Sequence, residues 1–352
     1  MPNIMDKIIN KIIGLYKKLI LYKKKISVEK FITDKRFIVG FVIILFFLIV
    51  TFYVLSKGKA SLYETNQEQL PVLETKEEEL VETLEEKEVQ EWEDGWIRYQ
   101  GDVYAYNDDI LTFLVIGIDK RGGFQEVTDS TSGGQSDAMF LAVCNPRTEE
   151  IELIAINRNT MTEIEQYDID GNFIGNVTAQ IAVQYGYGDG KEISANRSVA
   201  AVSNLFYQLP IHGYCAINIE AIAEINDIIG GVEVEVLEDM TAKDSSLIEG
   251  TTVLLQGDMA YDYIQYRDVD TFDSASDRLE RQKQYLVAFA NQVKVIAKKD
   301  ITAIPNLYNA IKEYMVTDVT LGEITYMASS MLNYQIDSEN MHSMEGETVM
   351  GE

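Results

Sequence analysis

Three uninterrupted apolar runs stand out in the middle of the chain. They are LTFLVIGI (111–118), AMFLAVC (138–144) and IELIAIN (151–157). Runs of this length, bounded by turn-forming residues, predict buried β-strands. Residues 198–209 and 220–229 instead repeat apolar positions at helical spacing, and a long helix is predicted to follow Asp277. Because strands and helices alternate, the pattern predicts an α/β sandwich with helices on both faces of a sheet.

A longer apolar segment lies near the N-terminus. Residues 37–55, FIVGFVIILFFLIVTFYVL, contain neither a charge nor a proline. As an α-helix this segment would rise about 28 Å, close to the ~30 Å hydrocarbon thickness of a bilayer. The alternatives are a buried core helix and a cleaved signal peptide. Sharply polar flanks disfavour the first, and a leader of 36 residues is longer than an ordinary signal-peptide n-region. We therefore predict one transmembrane helix.

Charge is distributed unevenly on the two sides of this segment. Residues 1–36 hold 10 Lys and Arg against 3 acids, whereas residues 37–352 hold 20 basic and 54 acidic residues, a balance of 20 − 54 = −34. The positive-inside rule places the basic side in the cytoplasm and the C-terminal side outside a plasma membrane. The predicted organisation is a basic cytoplasmic leader (1–36), a transmembrane helix (37–55), an acidic extracellular stalk (56–95), a globular domain (96–299), and C-terminal helices with an acidic tail (300–352).

Composition excludes several classes of function. The 352 residues carry a net charge of −27, which argues against nucleic acid as a partner because a phosphate backbone requires a basic surface. Two Cys without a C-x-x-C spacing exclude a zinc ribbon and a thioredoxin-like redox site. Two His leave little material for a His-based metal site or for a Ser-His-Asp triad.

Arginines are scarce after the membrane segment, and five of them follow a predicted strand or apolar run or begin the long predicted helix. They are Arg121, Arg158, Arg267, Arg278 and Arg281. Arg278 and Arg281 are three residues apart and share a helix face, with Gln282 beside them. Planar guanidinium groups match phosphate oxygens with paired hydrogen bonds, so such a cluster suits a pyrophosphate. Surface salt bridging is the alternative, and spacing alone leaves both open.

Two aspartates favour the phosphate hypothesis. Asp119 and Asp137 lie at predicted strand edges and are joined by a loop rich in Gly, Ser and Thr. Magnesium typically binds one or two carboxylates together with phosphate oxygens and waters. A metal there would neutralise phosphate charge and polarise the reacting phosphorus. The sequence therefore predicts a Mg²⁺ cofactor on these two side chains.

An ordered set of motifs resembles the LytR-CpsA-Psr family over residues 105–295. The motifs are GIDKR, SDAMFLAVCNPRTEEIELIAINRNTM, YGYGDG, GGVEVEV, LLQGDMAYDYIQYRD and DRLERQKQYL. The resemblance implies a three-layer α-β-α sandwich with a central mixed sheet and an apolar tunnel for a polyprenyl chain. It also implies transfer of a glycopolymer, such as a teichoic acid or capsular polysaccharide, from an undecaprenyl-pyrophosphate carrier onto peptidoglycan. The implied place is the outer face of a bacterial plasma membrane.

Position by position, the resemblance also implies roles for the residues singled out above. Asp119 and Asp137 correspond to magnesium ligands. The pyrophosphate-binding set comprises Arg121, Arg158, Arg267, Arg278, Arg281 and Gln282. Within these sets, Arg158, Arg267 and Asp137 are the implied catalytic residues.

The chain departs from the family pattern at two positions. Asn159 stands where the family commonly has Asp, and Gln265 stands where it commonly has Arg. The loss of one carboxylate and one cation leaves the charge of the site nearly unchanged. The sequence therefore predicts a magnesium-dependent phosphotransferase. A polyprenyl-pyrophosphate-binding regulator without catalysis and a slow pyrophosphatase are the alternatives.

Overall fold

The computed structural model describes residues 35–68, 95–99, 101–118, 124, 127, 133–267, 274–300, 302–344 and 346. The strands are β1 (Trp96–Tyr99), β2 (Asp102–Ala105), β3 (Leu111–Ile118), β4 (Ser136–Asn145), β5 (Glu150–Ile156), β6 (Met161–Tyr167), β7 (Phe173–Gln180), β8 (Gly213–Asn218), β9 (Val232–Glu235), β10 (Thr252–Leu255), β11 (Met315–Thr317) and β12 (Met341–Ser343). The helices are α1 (Lys35–Glu68), α2 (Glu192–Leu205), α3 (Ile222–Ile228), α4 (Asp258–Gln265), α5 (Ser274–Lys299), α6 (Ala303–Ile311) and α7 (Leu321–Ser330).

The three apolar runs form the centre of a six-stranded sheet, as predicted. Its strand order is β11-β8-β3-β4-β5-β12. β3 pairs antiparallel with β4 and parallel with β8, and β12 pairs parallel with β5, so the sheet is mixed. Central strands are buried on both faces, which explains why β3 is apolar at nearly every position.

Helices cover both faces of this sheet. On one face Leu114, Ile116 and Ile118 are fully buried in a cluster that includes Ala201 and Val202 of α2. On the other face α3, α4 and α5 build a second buried cluster around β9 and β10. The three-layer α-β-α sandwich with a mixed central sheet is thereby confirmed.

The C-terminal part of the chain belongs to the same sheet. β11 extends the sheet beside β8, and β12 adds a parallel strand beside β5. The predicted C-terminal helices are α6 and α7, and α7 begins with a capping box between Thr320 and Glu323. Within the segment predicted as an acidic tail, Met341–Ser343 pair with β5, and residues 345 and 347–352 lie outside the described residues. A short strand of this kind has too little sequence signal of its own and is stabilised by the edge that it covers.

α1 is a single helix that runs through the predicted membrane segment and into the predicted stalk. Residues Val42–Glu64 are long and apolar enough to cross a membrane. Phe46 and Phe47 are 61% and 62% exposed, which is not the pattern of a buried core helix. Residues 1–34, and residues 69–94 of the stalk, lie outside the described residues.

Candidate functional site

Asp137 owes its orientation to an irregularity between β3 and β4. Gly117 pairs with Ala138, whereas Ile118 pairs with Ser136, so Asp137 is an extra residue in β4. A bulge of this kind changes the direction in which a side chain points. The Asp137 side chain is 12% exposed and forms an ion pair with Arg158.

Arg158 reaches Asp137 because of the register between β4 and β5. Met139 pairs with Ile156, and two further steps along each antiparallel strand bring position 137 opposite position 158. The Arg158 guanidinium donates to the Asp137 carboxylate and, over 2.7 Å, to the side-chain oxygen of Gln135. These contacts use two of its five N–H groups, and the side chain remains 28% exposed. The structure thus presents a cation, held by its neighbours, at the end of the sheet.

The predicted magnesium site is only partly described. Asp119 and Arg121 lie outside the described residues, and β3 ends at Ile118, one residue before Asp119. Among the described residues, no group of three or more His, Cys, Asp or Glu side chains could hold a metal ion. The carboxylate of Asp137 has the oxygen chemistry that magnesium prefers. Asp137 lies next to Ser136, which pairs with the last residue of β3, so its carboxylate fits the proposed donor set.

Arg281 lies inside the protein rather than on a solvated helix face. Its side chain is 1% exposed, and its guanidinium donates to the backbone carbonyls of Tyr263 and Tyr266. Its Nε atom lies 2.8 Å from a carboxylate oxygen of Glu238, which is an ion-pair contact without hydrogen-bond geometry. Burial lowers the pKa of Arg281, and the nearby Glu238 carboxylate partly opposes that effect. In this conformation Arg281 joins α5 to the end of α4.

The other predicted phosphate ligands surround the same junction. Gln282 is buried and donates over 3.2 Å to the carbonyl of Ile264. Arg267 is exposed just after α4, and Arg278 is half-buried in the first turns of α5. The structure therefore gathers Arg267, Arg278, Arg281 and Gln282 around α4 and α5.

An apolar cavity lies between the central sheet and α5. It contains about 680 Å³ of empty space, part of it open to solvent. Its walls come from β3, β4, β8, α3, α4 and α5 and include Val115, Phe140, Ile217, Ile222, Leu286 and Phe289. The polar side chains among them are Gln282 and Tyr285, and the Tyr285 hydroxyl donates to buried Asn226 over 3.1 Å.

The cavity connects the two groups of predicted site residues. Gly117 and Ala138 form its wall on the sheet side, and Ala138 directly follows Asp137. Ile264 and Gln282 form its wall on the helix side. A ligand with an apolar tail in the cavity could thus place a charged head between the sheet edge and the α4–α5 junction.

Sequence analysis missed two polar side chains that support these arginines. Gln135 lies two residues before Asp137, so its place in GGQSD was the available signal. Glu238 lies in the loop after β9, far in sequence from Arg281, and no local pattern indicated that they meet. Arg147, which is not one of the predicted phosphate ligands, forms a surface salt bridge of 3.5 Å with Asp109.

Comparison with known proteins identifies relatives over most of the chain. The model of the LytR_cpsA_psr family matches residues 69–352. One relative is TagU of Halalkalibacterium halodurans, described as a polyisoprenyl-teichoic acid–peptidoglycan teichoic acid transferase. It is 27% identical over 67% of this chain and 69% of its own length. TagU of Oceanobacillus iheyensis, which has the same description, is 26% identical over 69% of this chain and 70% of its own.

Solved structures show the same fold. The crystal structure of B. subtilis TagV matches with a TM-score of 0.53 and 20% identity over 70% of this chain and 89% of that one. A Streptococcus agalactiae protein matches with a TM-score of 0.54 and 18% identity over 68% and 78% of the two chains. At these identities the likeness concerns the fold alone.

Proposed function

Since the chain belongs to the LytR-CpsA-Psr family, we propose that it is a membrane-anchored phosphotransferase. It would move a glycopolymer from an undecaprenyl-pyrophosphate carrier onto peptidoglycan in a bacterial cell wall. The observation that carries this proposal is the apolar cavity between the Asp137–Arg158 pair and the α4–α5 junction. Relatives described as teichoic acid transferases support a glycopolymer as the group transferred.

The reaction exchanges the phosphoanhydride bond of the pyrophosphate for a new phosphodiester bond. An acceptor hydroxyl oxygen attacks the phosphorus that bears the first sugar of the polymer, and a new P–O bond forms. The bond from that phosphorus to the bridging oxygen breaks, the lipid phosphate leaves with the electron pair, and the hydroxyl proton is released. Catalysis of this kind depends mainly on positioning and on stabilising developing negative charge.

The arginines would supply that stabilisation. Arg158 is held by Asp137 and Gln135, so its remaining N–H groups are oriented before a phosphate arrives. Arg267 would bind the leaving phosphate from the other side. The remaining proposed pyrophosphate ligands are Arg121, Arg278, Arg281 and Gln282. Asp119 and Asp137 would hold Mg²⁺, which when bound neutralises phosphate charge.

The apolar surface continues along α5 beyond the cavity. Tyr285, Leu286 and Phe289 line the cavity, and Val293 and Ile296 line a second groove of about 750 Å³ against α3 and α6. From Gln282 to Ile296 the helix rises about 21 Å. Two apolar cavities along one helix suit a long isoprenoid chain better than a compact ligand, which supports a polyprenyl carrier.

The charge distribution and α1 support the proposed location. α1 could span the plasma membrane once through its uncharged apolar run, residues 37–55, with the basic residues 1–36 in the cytoplasm. The domain that carries the cavity would then lie outside the cell, where peptidoglycan is available.

A transfer assay tests the function directly. The full chain in lipid nanodiscs would receive a lipid-pyrophosphate-linked glycopolymer and peptidoglycan, with Mg²⁺ or with a chelator. We expect labelled polymer on peptidoglycan with Mg²⁺ and at least a tenfold lower rate after chelation, because the metal would neutralise phosphate charge. Phosphate release without transfer would instead identify a pyrophosphatase. Transfer only after Asn159→Asp and Gln265→Arg would identify the natural chain as a binding protein.

Filling the cavity should weaken lipid binding. Leu286→Trp places a larger side chain against the cavity wall, so we expect about tenfold weaker binding of a long-chain polyprenyl phosphate. Leu254→Trp is the matched control, because Leu254 is 49% exposed in β10 and is not among the residues that line the cavity. Titration of both variants in nanodiscs measures the difference. Equal affinities in the two variants would exclude the cavity as the site of the lipid chain.

A further inference from the structure

The membrane helix is attached directly to the extracellular domain. Leu62 of α1 is 1% exposed and packs in a cluster with Leu111 and Cys144. Gly58 lies against α7 so closely that a Cβ atom there would be 2.4 Å from the Gly322 carbonyl oxygen. Burial of a leucine side chain is favourable, so this contact opposes independent movement of helix and domain.

This attachment places one end of the domain near the bilayer. The uncharged apolar run ends at residue 55, and Tyr63 follows eight residues later in the same helix, a rise of about 12 Å. The headgroup layer itself extends several ångströms beyond the hydrocarbon. The Tyr63 hydroxyl lies 3.4 Å from the carbonyl oxygen of Asp109, in the loop that links β2 to β3. β2 ends at Ala105, four residues before Asp109, so the β1–β2 hairpin is joined by a short loop to this membrane-proximal end.

This end carries an exposed apolar surface, here termed the hairpin patch. Its members are Tyr99, Val103, Tyr104 and Tyr207, which are 47%, 41%, 50% and 42% exposed. The rings of Tyr99 and Tyr207 meet edge to face with 6.5 Å between centroids. Charge is balanced in the hairpin, which holds one arginine and one aspartate within residues 96–105, in contrast to the −34 of residues 37–352.

The turn that presents Tyr207 has an unusual backbone conformation. Tyr207 and Gln208 have φ values of 58° and 60°, in the left-handed region that L-residues rarely adopt. A hydrogen bond of 2.9 Å from the Ser203 hydroxyl to the Leu209 carbonyl closes the turn that contains both residues. In this turn the ring of Tyr207 contacts the ring of Tyr99.

We propose that the hairpin patch rests on the outer leaflet and forms a second membrane contact beside α1. Tyrosine suits the membrane interface, because its ring enters the apolar layer while its hydroxyl stays hydrated. A hairpin without net charge avoids the repulsion that anionic headgroups impose on the rest of this acidic domain. Two contacts, unlike one, fix the tilt of the domain and the height of the cavity above the lipid. The inference rests on the proposed membrane anchoring.

Tryptophan fluorescence can test this contact. The chain has two tryptophans, so Trp92→Phe leaves Trp96 of β1 as the single reporter inside the hairpin. The full chain is reconstituted into phosphatidylglycerol–phosphatidylethanolamine vesicles with bromine on the acyl chains near the headgroup. We expect quenching of Trp96, and we expect Tyr99→Ser, Val103→Ser and Tyr104→Ser together to reduce it about twofold by removing apolar contact area.

A matched control uses the β6–β7 hairpin. Phe173 and Ile174 are 58% and 64% exposed there, so Phe173→Ser with Ile174→Ser should leave the quenching unchanged. Protein that floats with the vesicles but shows no quenching of Trp96 overturns the patch contact alone. Failure to float with vesicles overturns the membrane anchoring and the contact together. Protection of Trp96 by soluble peptidoglycan fragments, without quenching by lipid, would assign the patch to a glycan and overturn the proposal.

Discussion

Arg158→Ala is expected to lower the rate of glycopolymer transfer about 10²–10³-fold. Arg158 is both oriented by two side chains and partly exposed, with Asp137 and Gln135 accepting hydrogen bonds from two of its N–H groups. Its loss removes a prepositioned cation from the proposed phosphate site, where charge develops during the reaction. Turnover by full-length protein in nanodiscs, at saturating donor, measures the effect.

Two further variants separate charge, geometry and stability at this position. Arg158→Lys keeps the charge but loses the planar fork, so it should recover only part of the rate. Arg147→Ala should not change the rate, because Arg147 is 73% exposed and its 3.5 Å ion pair lies on the surface. If Arg147→Ala and Arg158→Ala slow transfer equally, the assignment of Arg158 to the site is wrong. Thermal unfolding of each variant shows whether a lost rate reflects lost structure.

Arg281→Ala is expected to lower the free energy of unfolding by about 3–5 kcal/mol, because it leaves buried polar groups without a partner. Arg281 is 1% exposed and satisfies the carbonyls of Tyr263 and Tyr266, while Glu238 lies 2.8 Å away. The variant should therefore loosen the junction of α4 and α5, which also carries Gln282. Chemical denaturation followed by circular dichroism measures the change.

Arg278→Ala is the control for this variant. Arg278 lies on the same helix three residues earlier and is only half-buried, so its removal should cost about 0.5–1 kcal/mol. It should still weaken donor binding if it is a pyrophosphate ligand. Unchanged stability in Arg281→Ala together with weaker donor binding would show that Arg281 contacts the pyrophosphate rather than supporting the fold. In that case the contacts to α4 would not persist when the donor is bound.

The central strands could be predicted because their signal is local. β3, β4 and β5 are buried on both faces, and such strands are apolar along most of their length. The β6–β7 hairpin was not predicted for the opposite reason. Only its inner face packs, and β6 contains two glutamates among its seven residues, so no continuous apolar run marks it. Strands of this kind depend on tertiary contacts more than on composition.

The candidate site was also predictable only in part. Motif order predicted roles for Asp137, Arg158 and Gln282. In the structure Gln282 lines the cavity, Asp137 directly precedes Ala138 of the cavity wall, and Arg158 pairs with Asp137. The ion pair between Asp137 and Arg158 was not predictable, because it depends on a bulge in β4 and on the register with β5. Register is set by many weak contacts across a sheet rather than by any one motif.

The family, the alternation of strands and helices, a segment apolar enough to span a membrane and the residue types of the candidate site can all be inferred from the sequence alone. Each of these depends on neighbouring residues along the chain, where periodicity, charge and motif spacing are directly visible. The tertiary structure was needed to show that α1 docks on α7 and that β12 joins the sheet. It also decided that Arg281 is buried while Arg278, on the same helix, is not. Burial depends on what packs from distant parts of the chain, and helical spacing cannot distinguish two arginines until that packing is known.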